Sequence, residues 1–517
     1  MKQKLTIIFF FFTISNFLSA QNMDYSGSRG EYLSKKTYTD SGIPDYSKSK
    51  KLLPVPIVTD NPEYIELYWK TWELAFLRFK KPPAGSPLVS NFMDEAFAPQ
   101  IFQWDTIFML EFARYGFHIF PVIQSLDNFY CRQHDDGFIH RELREGNGNE
   151  FWFEGFLHAV NPPLFAWAEV EQGKLSGDHS RFEMVFPVLV KYAEWLESNR
   201  KIGNTVHQLY WNTGLGSGMD NTPRKGSGWV DMSAQMVIMY HSLASIAHDL
   251  KKQSEENWFN QKADSIAFRI NKFMWNETDG VYYDVDDAGV QQKHMTIASF
   301  WPLLAKISSK SQVEKMMNQL RNPETFWRTN VFPSLAANHP DYQPDGKYWL
   351  GSVWAPTNVA TIKGLDNYPE VYNSTEFATQ ATKKYLDNMV KVYKETGTIW
   401  ENYSSEIVSR GSWSKPDFIG WSGCGPVQLL IENIIGIRPD AVANKVEWFL
   451  QRIDRHGIAN LTFGKNKITL IAEKRKSVVS PIIISVDSEK EFDLVLHKGE
   501  TAKVISIKKG KQKITFE

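Results

Sequence analysis

Three segments far apart in the chain share one pattern: HDDGFIHRE (134–142), ETDGVYYDV (277–285) and KETGTIWENY (394–403). Each follows an amphipathic stretch, turns at Asp-Gly or Thr-Gly, and ends in a short aromatic, strand-like run. A helix, a tight turn and a short extended piece, recurring in that order, describe a repeated helical hairpin. EYIELYWKTWELAFLRF (63–79) places apolar residues at three and four spacing. The same periodicity returns near 105–116, 118–130, 162–173, 181–199, 231–250, 255–274, 296–307, 310–320, 355–366, 374–394 and 424–435, which predicts about twelve helices. Twelve helices in six hairpins make an all-α (α/α)6 toroid, whose helix ends surround a funnel rimmed by the loops. A solenoid would satisfy the periodicity too, but its repeats are more uniform than these loop lengths allow.

After about residue 438 the period changes. LTFGKNKITLIAEKRKSVVSPIIISVDSEKEFDLVLHKGETAKVISIKKGKQKITFE alternates apolar and polar residues between Gly, Asn and Ser-Glu turns, which predicts a small C-terminal antiparallel β-domain, sandwich-like, over 438–517. The toroid then occupies 61–437. Residues 21–60, rich in Ser, Tyr, Lys, Asp and Pro, read as an extended lead-in. The first twenty residues place two lysines before the apolar run Leu5–Phe12 and end in Ser19-Ala20. That is the pattern of a secretory signal peptide cleaved after Ala20, too short to span a bilayer, and it predicts a periplasmic or secreted protein. No cysteine follows the apolar run, so no lipid anchor is expected.

Formal net charge is -1 with no block of like charge, which argues against nucleic acid or an anionic membrane surface as partner. No later segment approaches the length of a membrane span. Cys131 and Cys424 are the only cysteines, and two buried thiols are expected rather than a disulfide. There is no Cys/His cluster for zinc, no phosphate-cradling loop and no nucleophile elbow, so neither metal nor cofactor is implied. DVDDAG (284–289) lacks the Glu that a calcium loop needs at its twelfth position, where Met295 stands; it reads as a hairpin turn. Aromatic residues reach 14%, with 18 Trp. Aromatics fill cores, and in excess they also suit sugars, whose apolar faces stack on indole rings.

LYWNTGLGSGMDNTPR (209–224) sets three glycines before a single acid, Asp220. A lone loop Asp is ordinarily a turn former or helix cap. Glu401, in GTIWENYSSE, is ordinary by itself as well. Together they match the two-carboxylate machinery of glycoside hydrolysis, in which a protonated acid serves the leaving oxygen and a second carboxylate activates water or attacks. FQWDTIFML (102–110) puts Trp104 and Asp105 at a helix start, as a stacking platform and a hydroxyl-gripping carboxylate. NPPLFAW presents Asn161, YWLGSVWAPTN gathers Tyr348, Trp349 and Trp354, and GWSGCGP carries Trp421. Each could be packing; four such loops at helix starts predict the rim of one pocket.

GSGMDNTPR, FQWDT, NPPLFAW, YWLGSVWAPTN, WENYS and GWSGCGP resemble the motifs of glycoside hydrolase family 63, nearest its mannosylglycerate/glucosylglycerate hydrolase-like branch, and more distantly those of family 37 trehalases. The resemblance covers about residues 60–437. It implies the (α/α)6 barrel, inversion at the anomeric carbon, Asp220 as general acid and Glu401 as general base acting through water. It also implies a sugar pocket lined by Trp104, Asp105, Asn161, Arg224, Trp354, Tyr403 and Trp421. The family often has Gln where Asn161 stands, and Arg-Gly-Pro where this chain has Leu350-Gly351-Ser352. The expected activity is an exo-acting α-glucosidase on a small glucoside or oligosaccharide. A mannosylglycerate, glucosylglycerate or trehalose hydrolase is the catalytic alternative. A non-catalytic carbohydrate-binding protein would have no need of both acids.

Overall fold

The computed structural model describes residues 36–95, 98–151, 155–499 and 501–516, together with 22, 23 and 32. The expected signal peptide lies outside the described residues. Nine helices of eleven or more residues, among those described, build the larger part: α1 (Pro62–Phe76), α2 (Gln103–Ala113), α3 (Phe165–Ser176), α4 (Phe182–Asn199), α5 (Val230–Asp249), α6 (Gln253–Phe273), α7 (Lys310–Arg321), α8 (Ala355–Asp366) and α9 (Ser374–Thr396). A π-helical segment follows, α10 (Gly425–Ile435).

Local chemistry sets many of their ends. Pro62 opens α1 at a position where the missing N–H costs nothing. Ser309 and Gln312 form a reciprocal capping box on α7. Gly177, Gly397 and Gly436 close α3, α9 and α10 in left-handed backbone. The three look-alike loops share this device, since Gly137, Gly280 and Gly397 all have positive φ, between 67° and 98°. Two expected helices are shorter than the periodicity implied. Residues 118–130 break into a 3-10 turn (Val122–Leu126) and one α turn (Asp127–Tyr130), and 296–307 into Ile297–Phe300 and Trp301–Leu304. Pro121 and Pro302 stand in these segments, where a missing donor and a fixed φ interrupt long helices.

The C-terminal part is two packed sheets. With β1 as Val55–Val58, β2 as Ile437–Asp440, β3 as Lys445–Phe449, β4 as His456–Phe463, β5 as Asn466–Ala472, β6 as Ile482–Ser488, β7 as Phe492–Lys498, β8 as Thr501–Ile507 and β9 as Gly510–Phe516, the orders are β2-β3-β7-β8 and β9-β6-β5-β4-β1. Two features depart from the sequence reading. The β3–β7 pair is parallel, with Val446 opposite Leu494, so this β-domain is not purely antiparallel. Part of the lead-in is the strand β1, which pairs with β4. VPIV is too short to announce a strand, and its partner lies some four hundred residues away. The sheets are fastened to the helices by Trp448, fully buried, whose indole N–H donates to the Ile435 carbonyl at 2.9 Å.

A five-member ion cluster ties four helices together at their C-terminal ends. Arg114, just past α2, meets Glu111 at 2.7 Å, Glu432 of α10 at 3.0 Å and Glu171 of α3 at 3.3 Å. Lys363 of α8 reaches the same glutamates. These residues, except Glu111, line a cleft of about 670 Å³ between the helices and β2–β3. Cations at helix C-termini also complement the helix dipoles. No helix among the described residues is long and apolar enough to cross a membrane. Cys131 and Cys424 are both buried and not joined in a disulfide.

Candidate active site

The N-terminal ends of several of the same helices carry the second cluster. Asp105 lies in the first turn of α2, Trp354 is the residue preceding α8, and Trp421 stands just before the 3-10 turn that leads into α10. One turn of α2 thus looks toward these groups, while its other end, about 16 Å away at 1.5 Å per residue, holds the ion cluster.

The glycine-rich loop is held from several sides. Thr213 Oγ1 accepts the Gly216 N–H at 3.0 Å and starts a single helical turn, Gly214–Ser217. Asn161 Nδ2 donates to the Gly216 carbonyl at 3.2 Å, and Arg141 to that of Leu215 at 3.1 Å. Gly218 then takes φ 74°, and a Cβ there would stand 3.0 Å from the indole of Trp104. A side chain at Gly214 would collide with the Asp220 carbonyl. Beyond the acid, Asn221 bridges the Lys347 carbonyl and the Trp349 N–H, both at 2.9 Å. Thr222 donates to the Trp349 carbonyl at 3.1 Å. Asp220 is therefore carried between two anchors, one on Trp104 and one on Trp349.

Glu401 is placed by different means. Tyr403 and Val353 exchange backbone hydrogen bonds at 2.8 and 3.1 Å, fixing the 400–403 strand beside the entry to α8. The Glu401 N–H donates to the Lys415 carbonyl at 2.9 Å, and the Lys415 N–H returns a bond to Glu401 Oε2 at 3.1 Å. Trp421 Nε1 donates to the Glu401 carbonyl at 2.8 Å. Glu401 as a whole is 4% exposed.

Asp105, Asp220 and Glu401 act on one another through space. Burial pushes Asp220 up to about 6 against the pull of Arg141 and a hydrogen bond from the Tyr348 hydroxyl. Burial pushes Glu401 up to about 7, with the Lys415 N–H opposing and the charge of Asp220 adding. Asp105 is raised well above the carboxylate range by burial, then by the charge of Glu401. Glu95 is raised likewise by burial and by Asp94 and Asp105. Glu95 lies in hydrogen-bond contact with Asp94, while Asp105 Oδ1 and Trp104 Nε1 meet no partner among the described residues. Buried carboxyls and an indole N–H gathered here leave hydrogen-bonding capacity for water or a polar guest.

The raised acids carry a stability cost. In the unfolded chain Glu401 ionises near 4.5, but in the folded state only near 7, so the folded form binds more protons between those values and loses stability as pH rises. Glu401→Gln is expected to raise the thermal midpoint at about pH 8, by up to about 3 kcal/mol of stability, and to leave it unchanged near pH 4. Calorimetry of both proteins at the two pH values checks this.

Three of the sequence candidates lie behind this surface rather than on it. Arg224 makes a bidentate pair with Asp284 at 2.7 and 2.8 Å and a further ion pair with Asp231, stacked over Trp229. Trp354 is 0% exposed, packed flat on Trp349 at 4.2 Å, and donates to the Tyr348 carbonyl. Tyr403 is buried edge-on to Tyr385. Residues 284–292 form the expected hairpin, Asp284–Val285 against Gln291–Gln292.

The match to the description "Mannosylglycerate hydrolase MGH1-like glycoside hydrolase domain" spans residues 227–422 and so includes Glu401 but not Asp220. An uncharacterized protein of Borreliella burgdorferi is 28% identical over 75% of this chain and 82% of its own. The mannosyl-oligosaccharide glucosidase of Saccharomyces cerevisiae is 24% identical over 68% of this chain, which spans only 51% of that enzyme's length. The crystal structure of the family 63 mannosylglycerate hydrolase from Thermus thermophilus, in complex with glucose, superposes with a TM-score of 0.55 at 15% identity, covering 70% of this chain and 99% of that one. Residues 227–422 thus match a glycoside hydrolase domain, and the chain beyond them is similar to family 63 glycoside hydrolases. Three residues around Asp105, Asp220 and Glu401 were not among the residues singled out in the sequence: Glu95, Arg141 and Lys415. Arg141 stands in the first look-alike loop, and that was the available signal. Nothing in the sequence marked Glu95 or Lys415.

Proposed function

We propose that this enzyme is an exported, inverting, exo-acting α-glycoside hydrolase, an α-glucosidase on a small glucoside or oligosaccharide, with Asp220 as general acid and Glu401 as general base. The helices are proposed to close into an (α/α)6 toroid with the acids at its N-terminal mouth, and residues 1–20 to direct export to the periplasm or beyond. The observation that carries the reading is the pair itself: two carboxyls on separate loops, raised to about 6 and 7 and within each other's field. Inversion asks one carboxyl to protonate the leaving oxygen while the other takes a proton from water attacking the opposite face. Asp105 and Glu95, held neutral by burial, would donate hydrogen bonds to hydroxyls of the bound sugar, with Trp104, Asn161 and Trp421 around it. In this reading Arg224, Trp354 and Tyr403 set the positions of the loops rather than touch the sugar.

A panel of aryl α-glucosides, α-mannosides and natural disaccharides, with the product followed by NMR, tests the proposal. The β-anomer is expected first. The α-anomer first, or no hydrolysis of any member, overturns it. The mannosylglycerate hydrolase matched above and the periplasmic trehalase of Escherichia coli, 22% identical over 64% of this chain, make mannosylglycerate, glucosylglycerate and trehalose necessary members of the panel.

The pH profile follows from the same two groups. Base above acid means that the working form, Glu401 ionised and Asp220 protonated, is a minor species of the free enzyme, roughly one molecule in twenty at the optimum. A bell in kcat/KM with limbs near 6 and 7 is expected. Measurement across about pH 4–9 checks it, and a rate still climbing at the upper end would contradict it.

A further inference from the structure

The segment after Glu401 folds back on the strand that carries it. Ser404 bonds to Ser409, Gly411 donates to the Asn402 carbonyl at 2.9 Å, and Lys415 pairs with Glu401. At the crest of this returning arm stands Trp413, 69% exposed, with φ 57°. Tyr348, its neighbour across the gap, has φ 72°, and the rings lie 6.1 Å apart. Ser412 Oγ accepts the Tyr348 N–H at 3.2 Å, locking the arm to the aromatic cluster. Left-handed backbone is uncommon for bulky aromatic residues and concentrates at ligand clamps. Here two such residues stand together. One places its hydroxyl on Asp220, and the other turns its indole to solvent.

Direction gives that indole a use. A general acid protonates the oxygen that leaves, so the space beyond Asp220 belongs to the leaving group. The route from Asp220 outward runs over Tyr348 to Trp413. Tyr348 is packed against Trp349 and Trp354 and tilted 45° to Trp413, so it is the exposed indole of Trp413 that suits the apolar face of a pyranose; an indole face alone has nothing to hold a carboxylate. We propose, resting on the reading above, that Trp413 is the platform of the leaving-group subsite, and that it stacks on the first sugar ring beyond the cleaved bond. The substrate is then a disaccharide or longer oligosaccharide rather than a glycoside of a small non-sugar alcohol.

The test compares substrates with and without a leaving sugar. For wild type, Trp413→Ala and Trp413→Phe, kcat/KM is measured on α-linked glucose and mannose disaccharides, on glyceric acid glycosides, and on α-glucosyl and α-mannosyl fluoride. The fluorides present the same glycosyl group in the same anomeric configuration, with a C1–F bond in place of the glycosidic bond and no ring to stack. The ratio of disaccharide to fluoride kcat/KM is expected to fall about 10- to 100-fold in Trp413→Ala and to recover in large part in Trp413→Phe. An unchanged ratio overturns the proposal, as does a parallel loss on both, which would mean only that the arm had displaced Glu401. A loss confined to glyceric acid glycosides overturns it too. A wild type inert on every substrate removes the hydrolase reading itself, and this proposal with it.

Discussion

Asp220→Asn and Glu401→Gln are each expected to lower kcat on an unactivated α-glycoside by about 10²- to 10⁴-fold, the range that positioned proton transfer contributes. Both are isosteric, and the hydrogen bond that the Lys415 N–H gives to Glu401 Oε2 can pass to the amide oxygen of the substituted side chain, so folding should be spared. The two variants separate by leaving group. Fluoride departs with little protonation, so Asp220→Asn should recover most of its loss on the α-glycosyl fluoride. Glu401→Gln should not, because the attacking water still lacks a base. Circular dichroism confirms the fold, and steady-state rates on the two substrates give the contrast. Retention of more than half the wild-type rate by either variant on the unactivated glycoside would remove that residue from its role. Equal recovery of both on the fluoride would mean that the two roles are wrongly divided.

The helical part was legible because its signals are local. Three and four spacing, Pro62 at a helix start and glycines at turns each act within a few residues, and the look-alike loops do carry the left-handed glycines their sequences implied. The β-domain was legible for the same reason: Asn466–Ala472 alternates buried and half-buried residues without a break. What the sequence could not carry was pairing at long range. Nothing in VPIV names His456–Ala459 as its partner, and nothing in FDLVLHK says that it runs parallel to KVEWF. The site divides along the same line. Motif residues Asp105, Asn161, Asp220, Glu401 and Trp421 were readable as types in contexts. Arg224 looked like a sugar ligand because it closes the GMDNTPR motif, and only the fold reveals Asp231 and Asp284 on its guanidinium. Glu95 looked like any acid of a loop until burial placed it beside Asp105.

Arg114→Met is expected to cost about 3–5 kcal/mol of stability, the range for removing one partner of a buried ion group. Arg114 meets two buried glutamates, Glu111 and Glu432, and the half-buried Glu171, and shares all three with Lys363. Without it, Glu111 keeps Gln428 at 2.7 Å and a distant Lys363, and Glu432 keeps Tyr115 and Lys363. Glu171 would keep Lys174 at 2.7 Å, but Glu111 and Glu432, both buried, would share the one ammonium of Lys363, and their surplus charge is the source of the loss. The double variant Arg114→Met/Glu432→Gln removes a charge of each sign, so its cost should fall short of the sum of the two single costs. Additivity would show that Arg114 acts by packing its aliphatic stem. Below the unfolding transition, kcat should stay at the wild-type value, because the cluster binds the C-terminal ends of α2, α3 and α8, while Asp105 stands in the first turn of α2, about 14 Å from Arg114 along the helix. A fall in kcat at a temperature where Arg114→Met is fully folded would mean that the two ends of these helices move as one body, and that the ion cluster holds the mouth of the site in register from below.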